Sequence, residues 1–322
     1  MIIKTILAII AFLSISSINS LAKEIPLKII SPSENTLQSE LTLNIIFDVE
    51  SDSVDRVNIS TYFQQIYIDI HSSRTTYCKN ISLRMGENKI TIISYKEDKI
   101  INRQVRNVYI KSKIYYAVRF PPEQYKQQFF HTDTNEKKCT KCHNMKVNGE
   151  KNIAFMDVTE SNCYECHKNI TKEKYAHSPS ANWLCTTCHN GNTGIDNFKN
   201  KGKSKFIAAE PVYDFCFTCH KQDYELWESY RFRHEPLDSG RCNQCHNPHS
   251  SPNRKFLRKP DDQICFGCHQ DESKDVQELN NSKCSKTDKC ITCHNPHVSN
   301  KAFYIREDID KYYEALMSNK ED

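Results

Sequence analysis

His234-Glu-Pro-Leu-Asp-Ser-Gly-Arg-Cys242-Asn-Gln-Cys245-His246-Asn-Pro-His249, followed by Ile264-Cys265-Phe-Gly-Cys268-His269, decides how the rest of the chain is read. The stretch holds two Cys-x-x-Cys-His motifs, a histidine eight residues ahead of the first Cys, and another three residues after the first motif. Cys-x-x-Cys-His is the attachment signature of c-type haem. Two thiols on one helical turn can form thioethers to both haem vinyls, and the next residue brings an imidazole under the iron. The stretch therefore predicts a pair of haems with spare ligands of its own.

Working outward, the motif recurs at Cys139/Cys142/His143, Cys163/Cys166/His167, Cys185/Cys188/His189, Cys216/Cys219/His220, Cys242/Cys245/His246, Cys265/Cys268/His269 and Cys290/Cys293/His294. With 16 Cys and 13 His in 322 residues, chance would give it about 0.03 times. Seven occurrences thus predict seven covalently attached haem c groups, the Cys pairs as thioether donors and the seven histidines as proximal iron ligands. Zinc ribbons also use Cys-x-x-Cys pairs, but they do not require His after every second Cys. Disulfides, the usual fate of so many cysteines in an exported chain, have only Cys78 and Cys284 left to use.

The first 22 residues are expected to be a signal peptide. Met-Ile-Ile-Lys4 is a charged start, Ile6 to Ile15 an apolar run too short to span a bilayer, and Ser20-Leu21-Ala22 a small-x-small cleavage site. No cysteine near that site suggests a lipid anchor, and no later stretch has the length of an integral membrane span. The mature chain is expected to be exported: periplasmic, extracellular or associated with the outer membrane. The formal charge of +4 makes no case for nucleic acid, because haem propionates outnumber ferric cores and pull the holoprotein below zero.

Residues 23–118 contain no motif and have a period of two. Leu41, Leu43, Ile45, Phe47 and Val49 alternate with mostly polar neighbours, as do Ile81/Leu83 and Ile90/Ile92. Further strand-like runs are Leu27–Ile30, Val57–Ile59, Ile66–Ile70 and Val105–Ile110, with turns at Ser31-Pro32-Ser33 and Gly86-Glu87-Asn88. Six or seven short strands predict a β-sandwich whose task is docking, spacing or shielding. Arg119-Phe120-Pro121-Pro122 breaks the pattern and marks the boundary of a second domain, 119–322. From about Phe130 to Tyr304, about 175 residues serve seven haems, too sparse for an ordinary apolar core, so the macrocycles are expected to be the core, wrapped by short helices and irregular loops. Lys199, Lys201, Lys203 and Lys205 read as a solvated loop. Ile309, Tyr312, Tyr313 and Leu316 read as a terminal helix.

Aligning the motifs exposes repeat units starting near 131, 177, 234 and 282. His131, His177 and His234 each lie eight residues before a motif, whereas position 282 is Ser. Three residues after the proximal His stand His249 and His297, but Asn192 in the second unit and Lys146 in the first. These five spare histidines are candidate distal iron ligands. A residue three positions on can stray only about 10 Å, so His249 and His297 should reach neighbouring haems. The upstream histidines have reach for their own haem or a neighbour. Five patterned histidines against seven haems leave two sites to Met145, Met156, Lys146 or Cys284, or open. His71 reads as a surface histidine of the first module. Cys284 has three readings: a thiolate ligand, a disulfide partner of Cys78, or a free thiol.

Over 131–297 the chain resembles the doubled-Cys-x-x-Cys-His multihaem c-type cytochromes. The likeness is strongest at His234–His269, with its His-x-Pro, His-Asn-Pro-His and Cys-Phe-x-Cys-His elements. It implies bis-His, low-spin haems stacked closely enough for electrons to hop between redox partner proteins, with no catalysis of the protein's own. Met85-Gly86-Glu87-Asn88-Lys89-Ile90 resembles the Gly-x-Asn-x-Ile corner of bacterial immunoglobulin-like modules, though the paired cysteines and core Trp of antibody domains are missing. A second reading, a reductase of a small nitrogen or sulfur substrate at an open haem, is motivated by the two-ligand shortfall. A third is a haem-bearing subunit of a filament or of an outer-membrane electron conduit.

Overall fold

Alternation in the first module becomes two sheets with a shared apolar interior. The computed structural model describes residues 26–112, 114, 116–145, 161–189, 205–208, 210–261, 263–269 and 290–310. β1 (Leu27–Ser31), β3 (Thr42–Val49) and β6 (Thr76–Ser82) form a three-stranded antiparallel sheet in the order β1-β3-β6. The second sheet uses β2 (Thr36–Gln38), β4 (Arg56–Ser60), β5 (Gln65–Asp69), β7 (Gly86–Lys96), β8 (Lys99–Ile110) and β9 (Lys126–Gln127). Its order is β5-β4-β7-β8-β2-β9, with β2 parallel to both neighbours. Leu27, Ile45, Phe47 and Ile81 from the first sheet and Val57, Ile59, Ile90, Ile92, Val108 and Ile110 from the second form one buried cluster. Each such side chain contributes about 1.5–3 kcal/mol on burial.

The Gly-x-Asn corner has a clear physical basis. Gly86 takes φ +83°, a conformation most side chains avoid. Asn88 is buried and closes the corner: its amide donates to the carbonyls of Arg84 (2.8 Å) and Gly86 (3.0 Å), and its Oδ1 accepts from the Arg84 N–H (2.9 Å). After Pro121-Pro122 the chain returns to the sheet as β9, where Tyr125 packs with Leu37 and Tyr109.

Beyond Phe130 the helices are short. The longest among the described residues are Asp133–Cys139, Tyr213–Cys219 and Lys221–Glu228. Buried apolar side chains there are Trp183, Cys293, Val298 and Ile309, which cannot constitute a core on their own. Two two-residue antiparallel ladders tie successive units together. β10 (Tyr175–Ala176) pairs with β12 (Ser250–Ser251), and β11 (Phe232–Arg233) with β13 (Val298–Ser299).

The first module seats itself on the start of the motif region. In β3, Ile45, Phe47 and Val49 enter the core, so Asn44 and Asp48 face the other way. Asn44 donates to the Cys166 carbonyl (2.9 Å), Lys138 pairs with Asp48 (2.8 Å), and Asn169 donates to Asn80 on the adjacent β6. Farther along, an added Cβ on Gly267 would stand 2.1 Å from the Ile114 carbonyl oxygen, so the end of the first module and the sixth motif are in close contact.

Candidate haem-binding site

All seven motifs adopt the same local structure. In each, the histidine N–H donates to the carbonyl of the first Cys four residues back, at 2.8–3.0 Å: His143, His167, His189, His220, His246, His269 and His294. This single helical turn puts both thiols and the imidazole on one side, as two thioethers and an axial bond require.

The five spare histidines each face a proximal histidine of another motif. His131 lies opposite His167 (ring centroids 6.0 Å apart), His177 opposite His220 (6.5 Å) and His234 opposite His269 (6.1 Å). His249 lies opposite His189 (6.0 Å) and His297 opposite His246 (6.0 Å). These separations also fit an intervening metal. A bond of about 2 Å on each side, plus about 1.1 Å from ring nitrogen to ring centre, puts two axial imidazoles about 6.2 Å apart. The upstream histidine therefore faces the second motif of its own unit. The His+3 residue faces the first motif of the preceding unit.

Hydrogen bonds fix which nitrogen is presented. Carbonyls accept from Nδ1 of His177 (Pro248, 3.1 Å), His189 (Phe206, 2.9 Å), His246 (Lys255, 2.8 Å) and His294 (Phe303, 2.6 Å). A carbonyl can only accept, so Nδ1 carries the proton and Nε2 keeps its lone pair for a metal. His131 and His220 use carboxylates instead, Glu136 and Asp223, each at 3.1 Å. Glu136 is buried, and it also meets Lys205 at 2.5 Å. Non-glycine residues with positive φ support two of the carbonyls: Lys255 and Phe256 beside His246, Phe303 and Tyr304 beside His294. Strain of this kind persists where the surrounding structure enforces it. Burial pushes His167 and His297 down to about 4 and lowers His177, His234, His246 and His249, favouring the neutral ligand form.

The thiols show how the motifs are ordered in space. Cys163 contacts Cys185, Cys216 contacts Cys242, and Cys265 contacts Cys290, in each case the first cysteines of consecutive motifs. Hydrogen bonding within these pairs pulls Cys163 and Cys290 down to about 6 and Cys242 to about 7. Second cysteines of the intervening pairs also neighbour each other: Cys188 feels Cys219, and Cys245 feels Cys268. Cys139 feels Cys166. The contacts run from motif one to motif seven in chain order. One continuous cavity of about 5320 Å³ is lined by residues of all seven motifs and by all five spare histidines. Single-ligand sites measure about 300–1,000 Å³, so its size fits a set of large planar groups.

All thirteen histidines lie within the described residues, and none of them faces His143 or His294. His71 is exposed and does not line the cavity. Met145 lines the cavity two residues from His143. Lys146, Met156, Asn192, Cys284, the lysines at 199–203 and the Tyr312–Leu316 part of the expected terminal helix lie outside the described residues. Sequence reasoning considered Cys78 only as a disulfide partner of Cys284 and did not foresee its place at the second motif, where its thiol hydrogen-bonds Cys166 and pulls it down to about 7. Only the three-dimensional pairing of β3 and β6, with Ile46 beside Cys78, brings it there.

A family profile described as the doubled CXXCH motif (Paired_CXXCH_1) matches residues 177–225 and 234–274, the second and third units. Residues 177–225 and 234–274 thus carry the doubled CXXCH motif. A multiheme cytochrome MtrA of Shewanella baltica (strain OS185) is 25% identical over 124 residues, 38% of this chain and 35% of the relative. The match spans about a third of the relative's length. Among solved structures, the fibronectin(III)-like modules of Clostridium thermocellum CbhA align with 26% of this chain and 45% of theirs (20% identity, TM-score 0.21). An FMN-binding β-glucuronidase from Facaelibacterium prausnitzii L2-6 aligns with 32% of this chain and 13% of its own (12% identity, TM-score 0.22). No described helix is long and apolar enough to cross a membrane.

Proposed function

We propose that this cytochrome carries electrons between redox partner proteins through seven haem c groups, five of them bis-His. The five facing histidine pairs, 6.0–6.5 Å apart, carry this reading. The residues present fit the group: thioether donors and a proximal imidazole in every motif, a metal-sized gap in five ring pairs, and a cavity for the macrocycles. Bound haem supplies one-electron chemistry. The chain's part is to hold ligand imidazoles neutral, aim their Nε2 atoms, and keep successive attachment points in contact. The macrocycles then form the core of residues 119–322. Residues 23–118 form an immunoglobulin-like sandwich that shields the first two motifs and docks the cytochrome. Export by the N-terminal 22 residues places the protein in the periplasm or at the cell exterior, in company with an outer-membrane or membrane-bound electron-transfer complex.

A second reading, reduction of a small nitrogen or sulfur substrate, is favoured by one observation: two proximal histidines have no histidine opposite. The test of the main reading is a haem count with spin integration. Mass spectrometry should give seven haems per chain, and electron paramagnetic resonance at least five low-spin ferric centres. His297→Gly should convert one low-spin centre to high-spin. Fewer than five low-spin centres, or an unchanged spectrum in that variant, would refute bis-His ligation.

A further inference from the structure

The five ring pairs obey one rule. The second motif of a unit is faced by that unit's upstream histidine: His167 by His131, His220 by His177, His269 by His234. The first motif of a unit is faced by the His+3 residue of the following unit: His189 by His249, His246 by His297. Chain geometry enforces the second half of the rule. β12 and β13, immediately after His249 and His297, pair with β10 and β11 of the unit before. The N–H of His177 donates to the His249 carbonyl, and that of His234 to the His297 carbonyl, both at 2.9 Å.

Applied to the remaining two motifs, the rule identifies the exceptions. His143 belongs to the first motif of unit one, and its ligand should come from the His+3 position of unit two, which in sequence is Asn192. His294 belongs to the first motif of the fourth unit, and no later Cys-x-x-Cys-His, and so no later His+3 residue, occurs in these 322 residues. The thiol contacts put these two motifs at opposite ends of the array.

Resting on the bis-His reading above, we infer that the haems on His143 and His294, the two ends of the array, bind small exogenous ligands at iron. Both proximal histidines line the cavity, and His143 is exposed. The ligand class is a small π-acceptor such as carbon monoxide or nitric oxide on ferrous iron, and a small anion on ferric iron. The five interior haems, closed by histidine on both faces, exclude both.

Titration of the dithionite-reduced holoprotein with carbon monoxide tests this, read by Soret difference absorption against a haem count. Two CO per seven haems are expected. Removing the first attachment site (Cys139→Ser with Cys142→Ser), or the seventh (Cys290→Ser with Cys293→Ser), should give six haems and one CO. Because a missing haem can perturb folding, a gain-of-ligand variant complements them: Asn192→His supplies the missing His+3 residue and should lower the CO count from two to one with seven haems retained. Zero CO with seven low-spin haems overturns the inference and leaves bis-His ligation intact. Two CO that persist in both six-haem variants also overturn it. More than two CO overturns the bis-His reading itself.

Discussion

On the bis-His reading, replacing Glu136 by Gln should raise the reduction potential of one haem, the one that His131 and His167 would hold. A first-row metal–imidazole bond of about 2 Å and the width of the ring put His131 Nδ1 about 4 Å from the iron, and hence the Glu136 carboxylate about 7 Å away. At an effective dielectric of about 20, a unit charge at that distance is worth about 2.4 kcal/mol. The carboxylate favours the more positive ferric iron. Removing it should raise the potential by up to about 100 mV, at about 59 mV per tenfold for one electron. Lys205, which contacts the same carboxylate and is partly exposed, admits solvent screening, so about 50–100 mV is the expected rise. Lys205→Met removes the countercharge, about 9–10 Å from the iron, and should lower the same potential by about 20–50 mV. Protein-film voltammetry with optical redox titration resolves the affected component. If no component shifts by more than about 20 mV, or both variants shift it in the same direction, the carboxylate does not act on an iron-bound His131.

Three further outcomes are expected. Gly267→Ala drives a Cβ to within 2.1 Å of the Ile114 carbonyl oxygen; overpacking of about 3 kcal/mol should lower the melting temperature by roughly 6–12 °C, and a shift under about 2 °C would show that Ile114 is not wedged there. Trp183, with φ +58°, is buried against Tyr164 at 4.8 Å, so Trp183→Ala should cost about 3–5 kcal/mol, whereas Trp183→Gly should be milder by about 1 kcal/mol because glycine accepts that φ; the reverse order in chemical denaturation would contradict the left-handed backbone. Burial holds His167 and His297 near 4 against an ordinary 6.5, so the unfolded chain takes up protons the folded chain refuses. Their contribution is complete above pH 6.5 and is lost as pH falls towards 4, about 3 kcal/mol each. Iron ligation acts in the same direction, and an unfolding midpoint equal at pH 7 and pH 4.5 would argue against it.

The motifs were legible because attachment chemistry fixes both residue type and spacing, and each forms the same helical turn wherever it occurs. The strands around Phe47, Ile59 and Ile92 were legible because one buried face imposes a period of two. The strands at Thr36–Gln38 and Lys126–Gln127 carry too few residues for any periodicity, and join the sheet through parallel pairing that only tertiary structure provides. Reach along the chain sent His249 and His297 towards neighbouring haems, and their rings lie opposite His189 and His246, but it could not choose a destination for His131, His177 and His234. That choice depends on where the second motif of each unit folds back. Glu136 gave no signal either. A glutamate in a lysine-rich helix resembles solvated surface until the fold buries it beside His131.

The ladders at β10–β12 and β11–β13 have a consequence for how such a chain can change length. On the bis-His reading, the first haems of the second and third units take their outer imidazole from the unit that follows, so such a unit is completed by its neighbour and not by itself. Duplicating residues 234–281 would add two haems, one upstream histidine and one His+3 residue, and so consume as many ligands as it brings. The number of incompletely ligated irons would stay at two whatever the number of repeats, as the number of end groups does in a linear polymer. Growth by whole repeats therefore lengthens the array without altering the chemistry at its ends, and only changes in the first units or the last can do that.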